Sequence, residues 1–456
     1  MTAQEMRETA GKLLQYVDVE NPQVTERQEV DYYLANTKVY QEVVGYLPEK
    51  KKFDTDGNRL PEAKIYQAAV ESVDPSKLGY TEDEKKIIYL YSQMNAVENF
   101  ATGIITTKAL GAEQIATIAA DTQDLPGIGI TTSWDRKVLD TPLASIIGTV
   151  STEQAGLPVE EAEDYVKKGY ALNDRVGTSY LEKEYEEVLQ GKRSEKEILL
   201  DKNGNMEKVV DISKGAKGEN LKLSIDLDFQ KGVEDILRSA FSAELQAGNA
   251  TYSEGVYAVA LEPDTGKVLA MAGIKHQAGS QDLSADALGT VTNVFVPGSV
   301  VKGATLTAGW ENGAISGNQV LTDQPIVFAG STPINSWFTQ YGSRSINAVE
   351  ALEYSSNTYM VQIALKMMGQ PYTPNMTLQV DQIEPAMKKL RSTFAEYGLG
   401  TTTGIDLPNE STGFIPKEYT VGNYLTNAFG QFDNYTPMQL AQYVATVAND
   451  GKRVSP

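Results

Sequence analysis

The stretch Phe295-Val-Pro-Gly-Ser-Val-Val-Lys-Gly-Ala304 gives the strongest indication of both fold and chemistry. Its proline-glycine pair ends the preceding segment and residues 300–310 have helical character, so Ser299 is predicted at or just inside a helix N-terminus. Free backbone N–H groups and the helix dipole favour negative charge there. Lys302 follows one helical turn later on the same face. If Lys302 is partly buried, its pKa falls and the neutral amine can accept the proton of Ser299.

A Ser-x-x-Lys pair is weak evidence when it stands alone. Composition gives about one such pair by chance in a chain of this length, and the alternative is an exposed helix start with a solvated lysine. A second segment, Glu353-Tyr-Ser-Ser-Asn-Thr-Tyr359, precedes an apolar stretch and can present Ser355 and Asn357 towards a cleft. Its alternative interpretation is a simple N-cap cluster, which serine and asparagine often form.

The composition excludes several other kinds of site. The sequence contains no cysteine and one histidine, His276. Cysteine nucleophiles, disulfides, thiolate metal sites and His-paired zinc sites are therefore excluded. His276 lies in a polar run and is expected to be a surface loop residue. If the chain is a hydrolase or an acyl transferase, its base is then something other than histidine.

Length and charge limit the domain count and the partners. A chain of 456 residues with 41% hydrophobic content can form at least two domains. The net charge of −21 argues against a nucleic-acid partner and weakly against broad docking to an anionic membrane, and its general effect is solubility. The sequence shows neither the ~18 to 20 apolar residues of a membrane span nor the layout of a signal peptide.

The first two hundred residues predict a mixed α/β domain. Its expected hairpin turns at Asp201-Lys-Asn-Gly-Asn205, and its helix from residue 81 opens with the capping box Thr81-Glu-Asp-Glu84. The polar run Ser213-Lys-Gly-Ala-Lys-Gly-Glu-Asn220 is the candidate boundary between domains 1–215 and 216–456. The expected helices and hairpin strands of this half cover residues 3–16, 81–97, 111–120, 160–168, 180–190, 197–200 and 206–212.

The pattern changes after this boundary. Leu221-Lys-Leu-Ser-Ile225 alternates like a strand, and residues 228–247 form a predicted helix. Two further strands are expected at 256–261 and 267–271 around the turn Asp264-Thr-Gly266. A strand, a helix, two strands and then more helices indicate an α+β domain with helices packed on an antiparallel sheet.

Taken together and in this order, the Ser-x-x-Lys and Ser-x-Asn segments resemble the motifs of the penicilloyl serine transferases. The junction segment Asp174-Arg-Val-Gly-Thr-Ser-Tyr-Leu-Glu-Lys-Glu-Tyr185 resembles that of the class B penicillin-binding proteins, which usually have glycine at the position of Tyr180. The resemblance covers nearly the whole chain. Three more segments are similar to family sequences, namely those at 258–270, 398–408 and 430–440.

The resemblance implies a fold in two parts. An N-terminal pedestal domain of the dimerisation type is expected at 1–215, and a penicillin-binding transpeptidase domain at 216–456. The family's third motif, Lys-Thr-Gly or Lys-Ser-Gly, does not occur in this sequence. We therefore expect a fragment without the membrane anchor and with an incomplete transpeptidase domain, whose own activity is doubtful.

The resemblance also implies the reaction and its residues. A D,D-transpeptidase of this family cross-links peptidoglycan stem peptides through an acyl-serine and is acylated by β-lactams. Ser299 is the expected nucleophile, Lys302 the base, Ser355 a proton relay and Asn357 a substrate contact, with Thr358 as a further substrate contact. No metal and no cofactor are expected.

Partners and location follow from the same resemblance. The expected partners are stem peptides, β-lactam antibiotics, and cell-wall synthesis and division proteins that bind the pedestal. The expected location is the extracytoplasmic face of the cell membrane, through an anchor outside this chain. Two alternatives stay open, namely a β-lactam sensor or β-lactamase relative and a non-catalytic scaffold.

Overall fold

The computed structural model describes residues 1–97, 102–106, 110–120, 125–130, 134, 136–152, 155–192, 194–202, 206–277, 280 and 282–456. They divide into two compact units, Met1–Arg136 and Lys137–Pro456. The first unit contains α1 (Ala3–Leu13), α2 (Glu26–Leu34), α3 (Thr37–Tyr46), α4 (Glu62–Ser72), α5 (Glu82–Asn95) and α6 (Ala112–Ala120).

The second unit contains both helices and strands. Its helices are α7 (Ala144–Ile147), α8 (Ala162–Lys167), α9 (Tyr180–Glu184), α10 (Glu186–Leu189), α11 (Leu227–Gln246), α12 (Gly289–Thr292), α13 (Lys302–Glu311), α14 (Ala348–Glu353), α15 (Asn357–Met367), α16 (Ile383–Glu396), α17 (Val421–Asn427) and α18 (Pro437–Ala448). Its strands are β1 (Glu195–Leu200), β2 (Met206–Ser213), β3 (Gly255–Leu261), β4 (Val268–His276), β5 (Leu283–Ala285), β6 (Leu321–Asp323) and β7 (Arg344–Ile346).

Capping boxes fix several helix starts in the first unit. The predicted box at Thr81 and Glu84 is confirmed, and α1 and α2 begin with the same arrangement at Thr2 and Thr25. Each box satisfies backbone N–H groups that have no partner inside the helix. The helices bury two apolar clusters, one shared by α1, α2 and α5 and one shared by α2, α3 and α4. Among the described residues, no helix is both long and apolar enough to cross a membrane.

The second unit contains a three-stranded antiparallel sheet in the order β3-β4-β5. Helix α11 lies against β3 and β4, and α18 lies against β3. The fully buried Gln230 fixes α11 to β4, because its side-chain amide donates to Met271 O and accepts from Met271 N, both at 2.8 Å. The α+β prediction with helices on an antiparallel sheet is thus confirmed.

Three sequence expectations need correction. Residues 221–225 form no strand, because Leu221, Leu223 and Ile225 are partly buried against the core while Ser224 Oγ bonds Val268 O at 2.8 Å. Their alternation therefore reflects packing without a backbone ladder. The helix expected at 180–190 is two short helices, α9 and α10, which meet at Tyr185.

His276 is also placed differently from the expectation. It ends strand β4 and is 9% exposed, instead of lying in a surface loop. Its Nε2 bonds Ser253 O at 2.5 Å and its Nδ1 bonds Ser280 O at 3.1 Å. Both ring nitrogens therefore bond backbone carbonyls of neighbouring loops.

The expected hairpin has its two strands, because β1 and β2 pair in antiparallel fashion. Its turn residues 203–205 lie outside the described residues. The domain boundary at 215 and 216 stays a proposal. Contacts join the two sides of this boundary. A β-bridge links Lys192 to Ala216, and Leu143 and Leu181 share an apolar cluster with Val268.

A helical core positions the functional residues. Helix α13 contacts α14, α15 and α16, and α15 also contacts α17. Residues 358–365 of α15 are all buried. The N-terminal end of this buried helix carries the Ser-x-Asn segment, so the segment has a rigid support.

Candidate active site

Ser299 lies in a short 3-10 turn, Gly298–Val301, that leads into α13. The side chain of Ser299 is exposed, which leaves it accessible to a substrate. The turn is held from the other side, because Gly298 N donates to Gly430 O at 2.9 Å. The expectation that Ser299 lies at a helix start agrees with this geometry.

Lys302 begins α13 and is almost completely buried, with 1% of the residue exposed. Its Nζ donates three hydrogen bonds, to Ser355 O at 2.7 Å, to Ser355 Oγ at 2.9 Å and to Asn357 Oδ1 at 2.8 Å. Burial lowers the pKa of Lys302 from 10.5 to about 8, and the negative charge of Asp323 partly opposes this change. With a pKa near 8, roughly a tenth of these amines are neutral at pH 7.

Ser355 joins the lysine to the exposed serine. It lies between α14 and α15 with a φ of 52°, a left-handed conformation that is uncommon for residues other than glycine. Its Oγ donates to Ser299 Oγ at 2.9 Å while it accepts from Lys302 Nζ. A continuous hydrogen-bond path therefore runs from Lys302 through Ser355 to Ser299. Strained backbone of this kind clusters at functional sites.

The other two predicted residues are placed differently from each other. Asn357 is partly exposed beside Lys302, and its Nδ2 donates to Asn335 O at 3.2 Å, which leaves one amide N–H for another acceptor. Thr358 is fully buried, and its backbone N–H donates to Ser336 Oγ at 3.3 Å. This placement does not favour direct substrate contact by Thr358.

Sequence reasoning missed several residues that support the site. Asp323 and Ser336 are buried behind the Ser-x-Asn segment, and Gly430 lies against the Ser299 turn. No local pattern marks Asp323 or Ser336. Gly430 stood inside a segment with family resemblance, but nothing in that segment indicated which turn it contacts.

A buried ion pair supports the segment that follows Gly430. Arg391 on α16 donates to both carboxylate oxygens of Asp433, at 2.9 and 2.6 Å. Asp433 is fully buried. Its carboxylate also accepts a hydrogen bond from Asn427 Nδ2, and its backbone N–H donates to Asn427 Oδ1. The pair therefore fixes the end of α17 and the segment around Gly430 to α16.

Replacing Asp433 by alanine is expected to destabilise the protein strongly. The change leaves the partly buried Arg391 without its anion, and breaking a buried pair from one side costs about 3–5 kcal/mol. The unfolding midpoint in a thermal or denaturant titration measures this loss. The control is Asp381→Ala, at an exposed position of the same domain. Equal midpoints for the two variants would contradict the assigned support.

Within the described residues, no group of three or more His, Asp or Glu side chains is arranged to hold a metal ion. The charged group at the site is instead the buried amine of Lys302, next to two hydroxyl groups. Such an arrangement can activate a serine for attack on a carbonyl group.

Comparison with known proteins places this site in a family. Residues 256–456 match the penicillin-binding protein transpeptidase domain, and residues 1–223 match the penicillin-binding protein dimerisation domain. The chain is 66% identical to penicillin-binding protein 2B of Streptococcus pneumoniae (serotype 2, strain D39) over all of its length and 67% of that protein. The chain belongs to the class B penicillin-binding proteins.

Solved structures agree with the fold of this class B penicillin-binding protein. Penicillin-binding protein 2B of Streptococcus pneumoniae strain 5204 has a TM-score of 0.88 and 62% identity, covering all of this chain and 73% of that one. A complex of penicillin-binding protein PBP2 with MreC from Helicobacter pylori has a TM-score of 0.54 and 21% identity, covering 79% of this chain and 66% of that one. The second likeness shows the fold alone.

Proposed function

We propose that this class B penicillin-binding protein is a peptidoglycan D,D-transpeptidase with Ser299 as its nucleophile. The observation that supports this most directly is the hydrogen-bond path from the buried Lys302 through Ser355 to the exposed Ser299. The transpeptidase domain and the similarity to penicillin-binding protein 2B support the same reaction class. The substrate is a stem peptide that ends in D-Ala-D-Ala.

The reaction has two acyl-transfer steps. Ser299 Oγ attacks the carbonyl carbon of the penultimate D-alanine, and its C–O bond replaces the peptide C–N bond as the terminal D-alanine leaves with a proton. An amine of a second stem peptide then attacks the acyl-serine. The new amide bond forms, and Ser299 regains its proton.

The proton path follows the observed hydrogen bonds. In the protonated state Lys302 donates to Ser355 Oγ, and Ser355 donates to Ser299 Oγ. When Lys302 is neutral, both hydroxyl groups can rotate, since each has one proton and two acceptor lone pairs. Ser299 then donates to Ser355 and Ser355 donates to Lys302, so the proton of Ser299 has a path to the amine.

Asn357 and the backbone of Ser299 orient the substrate. The free N–H of the Asn357 side chain is available to a carbonyl oxygen of the stem peptide. The backbone N–H of Ser299 lies at a helix start, where it can donate to the oxyanion of the tetrahedral intermediate. A β-lactam acylates Ser299 by the same attack, because its strained amide mimics the D-Ala-D-Ala dipeptide.

The site of action and the partners belong to the same proposal. Stem peptides and their cross-links lie in the cell wall, so we place the reaction on the extracytoplasmic face of the membrane. We propose that the part of the chain that matches the dimerisation domain, residues 1–223, contacts other cell-wall synthesis and division proteins. A PBP2–MreC complex with the same fold gives a precedent for such contacts in another protein.

Mass spectrometry of a penicillin-treated digest is expected to find the penicilloyl group on Ser299. In the full-length protein, trypsin cleaves after Lys275 and Lys302, so the serines at 280, 284 and 299 share one peptide and fragmentation separates them. Ser355 falls in another peptide, which begins after Arg344. An adduct on that peptide, or on a serine other than Ser299, would disprove the assignment. Untreated protein digested in parallel is the control.

A further inference from the structure

A buried carboxylate lies directly behind the Ser-x-Asn segment. Asp323 ends the short strand β6 and is fully buried. Its Oδ2 accepts hydrogen bonds from Ser336 Oγ at 2.8 Å and from Ser356 Oγ. Its Oδ1 is also buried and has no hydrogen-bond partner among the described residues. Burying a carboxylate is unfavourable because desolvation penalises its charge. Its hydrogen bonds must therefore offset part of that cost.

The hydrogen bonds of Ser336 and Ser356 show which part of the chain the carboxylate holds in place. Ser356 Oγ accepts the backbone N–H of Tyr359 at 3.0 Å, and Ser336 Oγ accepts that of Thr358 at 3.3 Å. Each hydroxyl group has a single proton, and Asp323 Oδ2 is the nearest acceptor for both. Ser336 Oγ also lies 3.2 Å from Ser356 Oγ and 3.4 Å from Thr358 Oγ1. The carboxylate therefore orients two hydroxyl groups that bond the first turn of α15. Negative charge is favourable at this end of a helix.

The first turn of α15 carries the groups that bond Lys302. Ser355 and Asn357 flank Ser356, which is the N-cap of α15, so any shift of Ser356 moves both of them. The segment with Ser336 also presents Asn335 O to Asn357 Nδ2 at 3.2 Å. Asp323 thus fixes both sides of Asn357 through one oxygen atom.

We propose that Asp323 is a positioning residue for the acylation of Ser299. Its carboxylate holds Ser336 and Ser356 so that Ser355 and Asn357 meet Lys302, and its negative charge acts on the Lys302 amine through the protein interior. This inference rests on the transpeptidase function proposed above, and it adds a residue that touches neither the substrate nor Ser299.

Two other charged groups near the Ser-x-Asn segment, Arg344 and Glu350, have partners of their own. Arg344 pairs with Asp323 in the β6–β7 register, but its guanidinium lies 4.3 Å from the centre of the Tyr354 ring and donates to Tyr354 Oη. Glu350 bonds the backbone of Asn347. Burial lowers the pKa of Lys302, and the negative charge of Asp323 raises it in opposition to that effect. The elements packed against β6 and α13 are β7, α14, α15 and α16. Their charged and titratable side chains include Arg344, Glu350, Glu353, Tyr359, Lys366, Glu384, Lys388, Lys389, Arg391 and Glu396.

Two variants separate orientation from charge. Asp323→Asn removes the charge and keeps the size, and Ser336→Ala keeps the charge and removes one hydroxyl group. Both should lower the plateau rate of acylation by a fluorescent penicillin. We expect a loss of roughly 10- to 100-fold, by analogy with the loss seen when a residue that orients a metal ligand is removed. Only Asp323→Asn should also move the midpoint of the pH–rate profile. The midpoint moves to lower pH, because a lysine that loses a nearby negative charge gives up its proton more easily.

The experiment compares stopped-flow acylation of the full-length parent, Asp323→Asn, Ser336→Ala and the exposed control Asp381→Asn between pH 6 and pH 9. An Asp323→Asn profile whose midpoint equals the parent's would overturn the proposal, whether or not its plateau is lower. If Asp323→Asn does not fold, Ser336→Ala decides, and a plateau equal to the parent's would overturn the proposal. Mapping the penicilloyl adduct in the same parent sample tests the proposed function separately. An adduct on a residue other than Ser299 would disprove the assignment of the nucleophile, whatever the pH–rate profiles show.

Discussion

Replacing Lys302 by alanine is expected to slow the acylation of Ser299 by about 10²–10⁴-fold, the usual contribution of a general base. Lys302 is the amine at the end of the path through Ser355. The one histidine of the sequence, His276, lies at the end of β4, where its ring bonds backbone carbonyls of neighbouring loops. The fold should persist with reduced stability, because the change removes a buried side chain and three hydrogen bonds from a core that is otherwise unchanged. Stopped-flow acylation of the full-length protein by a fluorescent penicillin measures the loss, and near-UV circular dichroism measures the fold.

The pH dependence of the parent strengthens this test. The neutral form of Lys302 accepts the proton, and its pKa is about 8, so the acylation rate should rise with pH and level off above about 8. Below that value each unit of pH should lower the rate about tenfold. Lys302→Ala should lose this dependence. The control is Lys366→Ala on α15, which should keep both rate and profile. A rate for Lys302→Ala equal to the parent's would mean that another group takes the proton.

Part of the site could be predicted from the sequence because the information there is local. The proline-glycine pair and the following helical residues place Ser299 at a helix start, and Lys302 then follows within one turn. The alternative interpretations of the two motifs are also informative. Ser356 is indeed an N-cap, while its neighbours Ser355 and Asn357 bond Lys302. One short segment therefore serves both as a cap and as part of the site.

The residues that hold the site together could not be predicted in this way. Asp323 and Ser356 are 33 residues apart in the chain, and Ser336 is 20 residues before Ser356. Their contact depends on how β6 and α15 pack, which hydrophobic periodicity does not specify. The same limit explains the error at residues 221–225. Alternation shows which side chains are buried, but the pairing of the backbone depends on neighbours far along the chain.

Replacing Gly430 by alanine is expected to slow acylation of Ser299 by about 10²-fold or more, because a misplacement of about 1 Å in an active site can have that effect. Gly430 has a φ of 80°, and a Cβ atom there would lie 1.9 Å from Gly298 O and 2.6 Å from Gly298 C. Neither atom can move independently, since both belong to the backbone of the turn that carries Ser299. The hydrogen bond from Gly298 N to Gly430 O, now 2.9 Å, would have to break or stretch.

The control for Gly430→Ala is Gly313→Ala, which separates backbone strain from the steric clash. Gly313 has a φ of 66°, and a Cβ atom there would meet nothing within 4 Å. Each variant forces alanine into a left-handed conformation, which costs about 1–2 kcal/mol. Gly313→Ala should therefore unfold at a slightly lower temperature and acylate at the parent's rate. Gly430→Ala should lose rate beyond any loss of stability, because its clash displaces Ser299 from Ser355. Acylation rates within about twofold of each other in the two folded variants would show that the contact between Gly430 and Gly298 does not position the nucleophile.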